Sequence, residues 1–170
     1  MRGMRFRFCL AAIALPCAVA IAAQGQDPIS NAPAHSIVKR ADVEYLYPEQ
    51  VTLPAGKASK LALHFRVKQG LHINSHTPRE NFLIPTTFSV PEDSGVRLES
   101  VDFPPGADFA LPFDPSEMLS VYTGEFAIDA RIVPAAGDHL VQAKLHYQAC
   151  TNNTCFPPKT ITVPIDMVGK

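Results

Sequence analysis

Strict alternation of apolar and polar residues in four segments limits the folds open to this chain. In "KLALHFRV", the apolar residues Leu61, Leu63, Phe65 and Val67 alternate with polar or small ones. A period of two with one apolar face is typical of half-buried antiparallel β-strands. The pattern recurs in "EFAIDARIV", "HLVQAKLHYQAC" and "KTITVPI", and shorter strand candidates are Val51–Leu53, Leu71–Asn74, Thr86–Val90 and Val96–Phe103.

No segment has a convincing helical stripe, and 16 prolines are spread along the chain. Proline suits turns and strand ends and opposes long helices. About seven to nine short strands with frequent turns predict an all-β fold, an immunoglobulin-like antiparallel β-sandwich. We expect "PAAGD", Pro134 to Asp138, to be a hairpin turn. We expect the proline-rich stretch Phe103–Glu117 to be a long loop of the kind that often carries function.

Residues 1–23 have the pattern of a secretory signal peptide. Arg2, Arg5 and Arg7 precede an apolar run that ends in small residues and is short for a membrane span. We expect cleavage near the end of this run, a flexible polar leader over 24–40, and one folded domain over 41–170. An uncleaved anchor and a lipid-anchored Cys17 are the alternatives.

Loss of the signal peptide would remove three arginines and no acid, which takes the formal net charge from −1 to −4. The remaining chain has no basic block, so nucleic acid and anionic membrane are not expected partners. No second apolar run follows, so no membrane span is expected after cleavage. The mature chain is long enough to form one domain with its own core, in an oxidising compartment.

Cys150 and Cys155 are the two cysteines outside the predicted signal peptide, and "TNNT" between them is a turn sequence. We expect them to flank a hairpin loop and to lie close enough to form a disulfide. The preceding alternation places Val141 and Tyr147 on the inner face. Cys150 then falls on the outer, solvent-facing parity unless a bulge intervenes.

The residues themselves leave open whether this bridge is structural or redox-active. Closing so short a loop contributes about 2 kcal/mol in the loop-entropy model, and less where a hairpin already joins the ends. An exposed bridge across a tight loop has the traits of a labile disulfide. The spacing is not the Cys-x-x-Cys of thioredoxins. His146 is read as a solvated strand residue in preference to a partner of Cys150.

The other histidines and motifs give little support for a metal or cofactor. In a strand, His72 and His76 would be about 13 Å apart. A copper or zinc site formed by the two cysteines and His146 lacks a second Cys or His cluster. The sequence has no glycine-rich phosphate loop and no nucleophile elbow. We therefore expect no metal and no cofactor beyond a redox-active disulfide.

Three stretches together resemble one known family: "YQACTNNTCFPPKTITVPI", "LHINSHTPRENFLIPTTFSV" and "FDPSEMLSVYTGEF". That family is the N-terminal periplasmic domain of the thiol:disulfide interchange protein DsbD, and the resemblance runs from Val43 to Val168. It implies an immunoglobulin-like fold, a periplasmic location and a cysteine pair that cycles between dithiol and disulfide. In that family the domain takes electrons from a membrane-spanning partner through a thioredoxin-like domain, and then reduces oxidised periplasmic thiol proteins.

The resemblance also implies roles for individual residues. Cys155 would form mixed disulfides with partners, and Cys150 would resolve them. The family shields its cysteines with a cap loop that bears a phenylalanine, for which Phe113 is the first candidate here and Phe109 the second. Further residues carried over to the site are Asp114 as the acidic residue of the loop, His72 and Asn74 in place of tyrosines, and Tyr147 and Phe156 beside the cysteines.

The chain departs from the best-known member in two respects. It has four residues between its cysteines where that member has five, and it contains neither a transmembrane electron carrier nor a thioredoxin-like domain. We therefore expect a separate membrane electron donor, with thioredoxin-like periplasmic proteins as the other partners. Two alternatives are a non-catalytic immunoglobulin-like binding module with a structural disulfide and a metal chaperone that uses the same sulfurs.

Overall fold

The computed structural model describes residues 41–46 and 50–170. The predicted signal peptide (1–23) and leader (24–40), and with them Cys9 and Cys17, lie outside the described residues. The strands are β1 (Val43–Leu46), β2 (Val51–Leu53), β3 (Ser59–Val67), β4 (His72–Asn74), β5 (Thr87–Ser89), β6 (Val96–Asp102), β7 (Ala107–Leu111), β8 (Asp114–Tyr122), β9 (Glu125–Pro134), β10 (Gly137–Tyr147), β11 (Ala149–Cys150) and β12 (Lys159–Gly169).

The strands form three four-stranded sheets. The first sheet has the order β1-β3-β9-β6, the second β2-β12-β10-β5 and the third β11-β4-β8-β7. Neighbouring strands pair antiparallel, except that β2 pairs with β12 in parallel at the edge of the second sheet. The predicted all-β, immunoglobulin-like sandwich is therefore confirmed, with one parallel pair in a sheet expected to be wholly antiparallel.

One hydrophobic core joins the first and second sheets. The inward residues of β3 and β9 pack with those of β10 and β12 in a single buried cluster that includes Leu63, Phe65, Ile128, Leu145 and Val163. The alternating sequence accounts for this arrangement, because successive strand residues point to opposite faces. In β3 the burial follows the sequence pattern residue by residue, from buried Leu61 to buried Val67.

All four long alternating segments are confirmed as β3, β9, β10 and β12, and the shorter candidates contain β2, β4, β5 and β6. Two turn predictions are wrong. Phe103–Glu117 is not one loop, since β7 and β8 form a hairpin within it, closed by Pro112 and Phe113. "PAAGD" does not close a hairpin either, because β9 and β10 lie in different sheets and the segment connects them.

No helix in the described parts of the chain is long and apolar enough to cross a membrane.

A buried core leucine and an exposed strand leucine give a matched test of this packing. Leu63 on β3 is fully buried, whereas Leu140 on β10 is 68% exposed. We expect Leu63→Ala to lower the free energy of unfolding by about 2–5 kcal/mol, because it removes buried methyl groups and leaves a cavity. Leu140→Ala should change it by less than about 0.5 kcal/mol. Urea unfolding of both variants measures the difference, and equal losses would contradict the assigned core.

Candidate functional site

Cys150 and Cys155 form a disulfide across a four-residue loop, with an S–S distance of 2.05 Å and a Cα–Cα distance of 3.9 Å. Backbone hydrogen bonds flank the pair on both sides. The amide of Thr151 donates to the carbonyl of Thr154 (2.8 Å), and the amide of Phe156 donates to the carbonyl of Ala149 (2.9 Å). The predicted hairpin is thus present, and its backbone places the cysteines directly opposite each other in the close, non-hydrogen-bonded kind of pair.

The Thr151 side chain tightens this loop further. Its hydroxyl oxygen accepts from the amides of Asn153 (3.3 Å) and Thr154 (3.1 Å). The loop geometry therefore depends on hydrogen bonds as well as on the sulfur–sulfur bond. A dithiol form can keep the two sulfurs adjacent with little change in the backbone.

The predicted solvent exposure of Cys150 is wrong: it is buried, at 2% exposure. The alternation of β10 ends at Tyr147, and Ala149 and Cys150 leave the second sheet to pair with β4 in the third. Ala149 is buried in phase with Tyr147 and belongs to the core, so Cys150 keeps the face opposite to the core, but in the third sheet this face is covered. Cys155, on the other side of the loop, is exposed. One sulfur-bearing residue of the pair is thus enclosed and the other faces solvent.

One face of the third sheet collects residues predicted at the site. Cys150 is the direct partner of His72, and His72 and Asn74 share a face because they are two residues apart on β4. Phe109 on β7 reaches the same place, with its ring centroid 4.4 Å from that of His72. We call the surface formed by Cys150, His72 and Asn74, against which Phe109 packs, the site face.

The two other cap-loop residues lie where the β7–β8 hairpin turns. Phe113 is in its two-residue loop and is 67% exposed. Asp114 begins β8, and its carboxylate accepts hydrogen bonds from the Ser116 hydroxyl and amide. Those bonds hold the pKa of Asp114 below its ordinary value. Of the two phenylalanines considered for the cap, the structure places Phe109 against the site face.

Gln148 is a site residue that the sequence reasoning missed. The Asn74 side-chain amide donates to the Ile84 carbonyl (3.0 Å) and to the Gln148 side-chain oxygen (3.4 Å). The Gln148 side-chain amide in turn donates to the backbone carbonyl of Phe156 (3.2 Å). Gln148 therefore links β4 to the exit of the cysteine loop. In the alternation of "HLVQAKLHYQAC" it falls among the polar residues of the outer face, and its place in "YQAC" is the available signal.

Tyr147 and Phe156 occupy different environments. Tyr147 is fully buried in the core, where burial and then the nearby Asp42 carboxylate raise the pKa of its hydroxyl to about 12. Asp42 is itself paired with Lys159. Phe156 follows Cys155 directly and is 37% exposed. Tyr147 thus belongs to the core under the site, and Phe156 to the surface beside the exposed sulfur.

A groove of about 590 Å³ opens beside the cysteine loop. It is lined by His72, by Phe109 and by Asn152 of the cysteine loop, together with residues from the end of β3, the β3–β4 loop and the β8–β9 turn. Arg66 lies on its border, where it pairs with Glu125 (2.7 Å) and Glu44 (3.4 Å). The cysteine pair is thus adjacent to a concave surface that a partner can contact.

The histidines considered as metal ligands have other neighbours. His76 donates through Nδ1 to the Thr86 carbonyl (2.9 Å) and stacks on Phe103, and His146 contacts the Thr160 hydroxyl (3.0 Å). Within the described residues, no three His, Cys, Asp or Glu side chains are grouped so that they could hold a metal ion.

The protein is a β-sandwich domain with a disulfide across a short loop, in which one cysteine is enclosed and the other is exposed. Domains of this class are chemically able to undergo thiol–disulfide exchange with a partner. The comparison with protein families gives the particular one: residues 42–166 match the family model "Thiol:disulfide interchange protein DsbD, N-terminal". This match covers most of the chain, so the chain belongs to that family. The resemblance found in the sequence is confirmed.

Among solved structures, the chain is similar to the reduced DsbD N-terminal domain of Neisseria meningitidis. The two share 18% sequence identity over 68% of this chain and 82% of that one, with a TM-score of 0.46. No curated protein matched the chain. Family membership, together with the disulfide, assigns the domain to thiol–disulfide exchange with redox partners. The family to which it belongs is periplasmic.

The burial of the His72 imidazole can be tested by the stability of the protein at acid pH. Burial lowers the pKa of His72 below its ordinary value of 6.5, so the unfolded chain takes up this proton at a higher pH than the folded protein. The stability linked to the neutral ring is therefore fully present above pH 6.5 and is lost as the pH falls through the lower folded value. We expect the free energy of unfolding to decline more steeply on acidification in the wild type than in His72→Gln.

Urea unfolding at a series of pH values between about 7.5 and about 4.5 measures these slopes. His64→Gln is the control, because His64 is exposed on the outer side of β3. It should keep the wild-type slope. Equal slopes for the wild type and His72→Gln would contradict the burial of His72.

Proposed function

We propose that the domain passes electrons from its Cys150–Cys155 dithiol to oxidised thiol proteins of the periplasm. The observation that carries this proposal is the asymmetry of the pair, with Cys155 exposed and Cys150 enclosed. A partner disulfide can approach only a sulfur that it can reach. The enclosed sulfur is held opposite the first and is suited to the second, intramolecular step.

In this scheme the Cys155 thiolate attacks one sulfur of a partner disulfide and forms a mixed disulfide. The partner's other sulfur leaves as a thiolate and takes up a proton. Cys150 then attacks Cys155, which restores the Cys150–Cys155 bond and releases the partner as a dithiol. Two electrons move to the partner, and no cofactor besides the cysteine pair is needed.

The hairpin geometry favours this function over a purely structural bridge. The two cysteines are already joined by the backbone bonds of Thr151 and Phe156 on either side, so a covalent link adds little to the constraint on the chain. A loop this short gives about 2 kcal/mol at most in the entropy model. A non-catalytic binding module with a structural disulfide remains the second candidate, and the variants below distinguish it.

The sequence and the family support the proposed domain organisation, location and partners. Residues 1–23 act as a signal peptide, 24–40 as a leader and 41–170 as the exchange domain, located in the periplasm. Thioredoxin-like periplasmic proteins are the electron acceptors. A separate membrane protein is the electron donor, and its action on the disulfide regenerates the dithiol.

Phe109 is proposed as the cap of the pair. Its ring packs on His72, which is the direct strand partner of Cys150. A half-buried aromatic at this place limits access to Cys150 from the groove side. Phe113, at the exposed turn of the same hairpin, supplies a matched control.

Single cysteine variants test the order of the two attacks. Reduced Cys150→Ser should accumulate a mixed disulfide through Cys155 when mixed with an oxidised thioredoxin-fold protein, because the resolving sulfur is missing. Reduced Cys155→Ser should accumulate little, because Cys150 is enclosed. Non-reducing electrophoresis with peptide mass mapping measures both. Equal trapping by the two variants would refute the assignment, and trapping by neither would favour the structural module.

Two phenylalanine variants test the cap. In the reduced protein, Phe109→Ala should raise the rate at which iodoacetamide alkylates the cysteines several-fold, since it uncovers the site face. Phe113→Ala should leave this rate unchanged. Mass spectrometry of samples quenched over time gives the rates. An increased alkylation rate in Phe113→Ala alone would show that Phe113, at the turn of the hairpin, is the cap.

A further inference from the structure

His72 is a buried titratable group that the exchange scheme above does not use. It is 2% exposed on β4, and its ring lies under that of Phe109. Within residues 41–46 and 50–170, neither of its ring nitrogens has a hydrogen-bond partner. His76, His139 and His146 differ, because each uses a ring nitrogen in a contact with a carbonyl or hydroxyl group.

The strand register places His72 beside Cys150. The two residues are direct antiparallel partners in the β4–β11 ladder. Direct partners project from the same face of a sheet, with Cβ atoms about 4.5–5.5 Å apart. The neighbouring pair, Ile73 and Ala149, projects to the opposite face and into the core. No hydrogen bond joins the His72 ring to a sulfur of the disulfide, so in the reduced protein rotation about the side-chain bonds would bring an imidazole nitrogen to the Cys150 sulfur.

We propose that His72 is the base that accepts the proton of Cys150 in the step that resolves the mixed disulfide. The inference rests on the proposed function, since it assigns the chemistry of its second step. Cys150 is enclosed, and burial disfavours the ionised form of a thiol. An adjacent neutral acceptor removes the need for hydroxide to enter the site.

The surrounding charges are consistent with a neutral imidazole at working pH. Arg66, Lys68 and Glu125 line the same groove, and Arg66 and Glu125 are paired with each other. On β7, Asp108 is paired with Arg79, and on β8 the Tyr122 hydroxyl donates to the Pro104 carbonyl. Burial lowers the pKa of His72, so the ring is free to accept a proton near neutral pH.

The resolving step conserves atoms and electrons. Cys155 begins bonded to a partner sulfur, and the Cys150 thiol gives its proton to a nitrogen of His72. The resulting thiolate attacks the Cys155 sulfur, and the bond from Cys155 to the partner breaks with its electron pair on the partner sulfur. That sulfur takes the proton from the imidazolium or from water. In this step Cys150 is oxidised and the partner sulfur is reduced, while Cys155 exchanges one disulfide bond for another.

Reaction of the reduced protein with the disulfide reagent 5,5′-dithiobis(2-nitrobenzoate) isolates this step. The first release of thionitrobenzoate reports attack by Cys155 on the reagent. The second reports attack by Cys150 and is independent of reagent concentration. Stopped-flow absorbance from acid to alkaline pH gives its rate in the wild type, in His72→Gln and in the control His146→Gln.

In the wild type, we expect the second release to be fast at neutral pH and to fall as His72 becomes protonated. In His72→Gln it should be about 100-fold slower at neutral pH, the order of a lost general base, and should recover with rising pH. His146→Gln should match the wild type. A wild-type rate and profile in His72→Gln would overturn the role of His72, as would a slower rate with an unchanged pH profile, which a structural role produces.

A different result would contradict the proposed function itself. In that case the wild type would show no second release of thionitrobenzoate that is independent of reagent concentration. If His72→Gln does not fold, a titration of His72 in proteins that keep this residue tests the proposal. Proton NMR of His72 is followed against pH in the reduced wild type and in reduced Cys150→Ser. Coupled groups should give different His72 titration curves in the two proteins. Superimposable curves would overturn the proposal.

Discussion

The site depends on the point where the chain leaves one sheet for another. Strand β10 ends at Tyr147, and after Gln148 the chain joins the third sheet, where Ala149 and Cys150 pair with β4. Cys150 projects away from the core, opposite to Ala149, but in the third sheet this face is covered and its residues are buried. Cys150 is therefore enclosed against His72 while Cys155 stays outside, so the pair has two chemically distinct ends.

The change of sheet also brings the polar residues of β4 to the cysteines. Asn74 and Gln148 hydrogen-bond to each other and to backbone carbonyls on both sides, Ile84 and Phe156. These bonds fix the entry and exit of the cysteine loop relative to β4. Because the loop has its own backbone bonds, the sulfurs can be oxidised or reduced within a frame that other interactions maintain.

The sequence pattern was sufficient to predict the sandwich but not the site. The long alternations in β3, β9, β10 and β12 are local signals, and each predicts its own buried face. Cys150 was assigned wrongly because its environment depends on pairing with β4, a segment more than 70 residues away in the sequence. The hairpin in Phe103–Glu117 was missed because its prolines obscure the strands, although they lie at the turn and strand ends. Family resemblance identified the pair and both candidate phenylalanines, and only the fold distinguishes Phe109, at the site face, from Phe113, at the turn.

The central claim is that the Cys150–Cys155 bond forms and breaks in use. The most direct test is its reduction potential, measured by equilibrating the protein in glutathione and dithiothreitol buffers and trapping the thiols for mass spectrometry. The account predicts a value of roughly −180 to −270 mV, in the range of proteins that exchange disulfides. A value below about −300 mV would identify a bond that resists physiological reduction and would contradict the account.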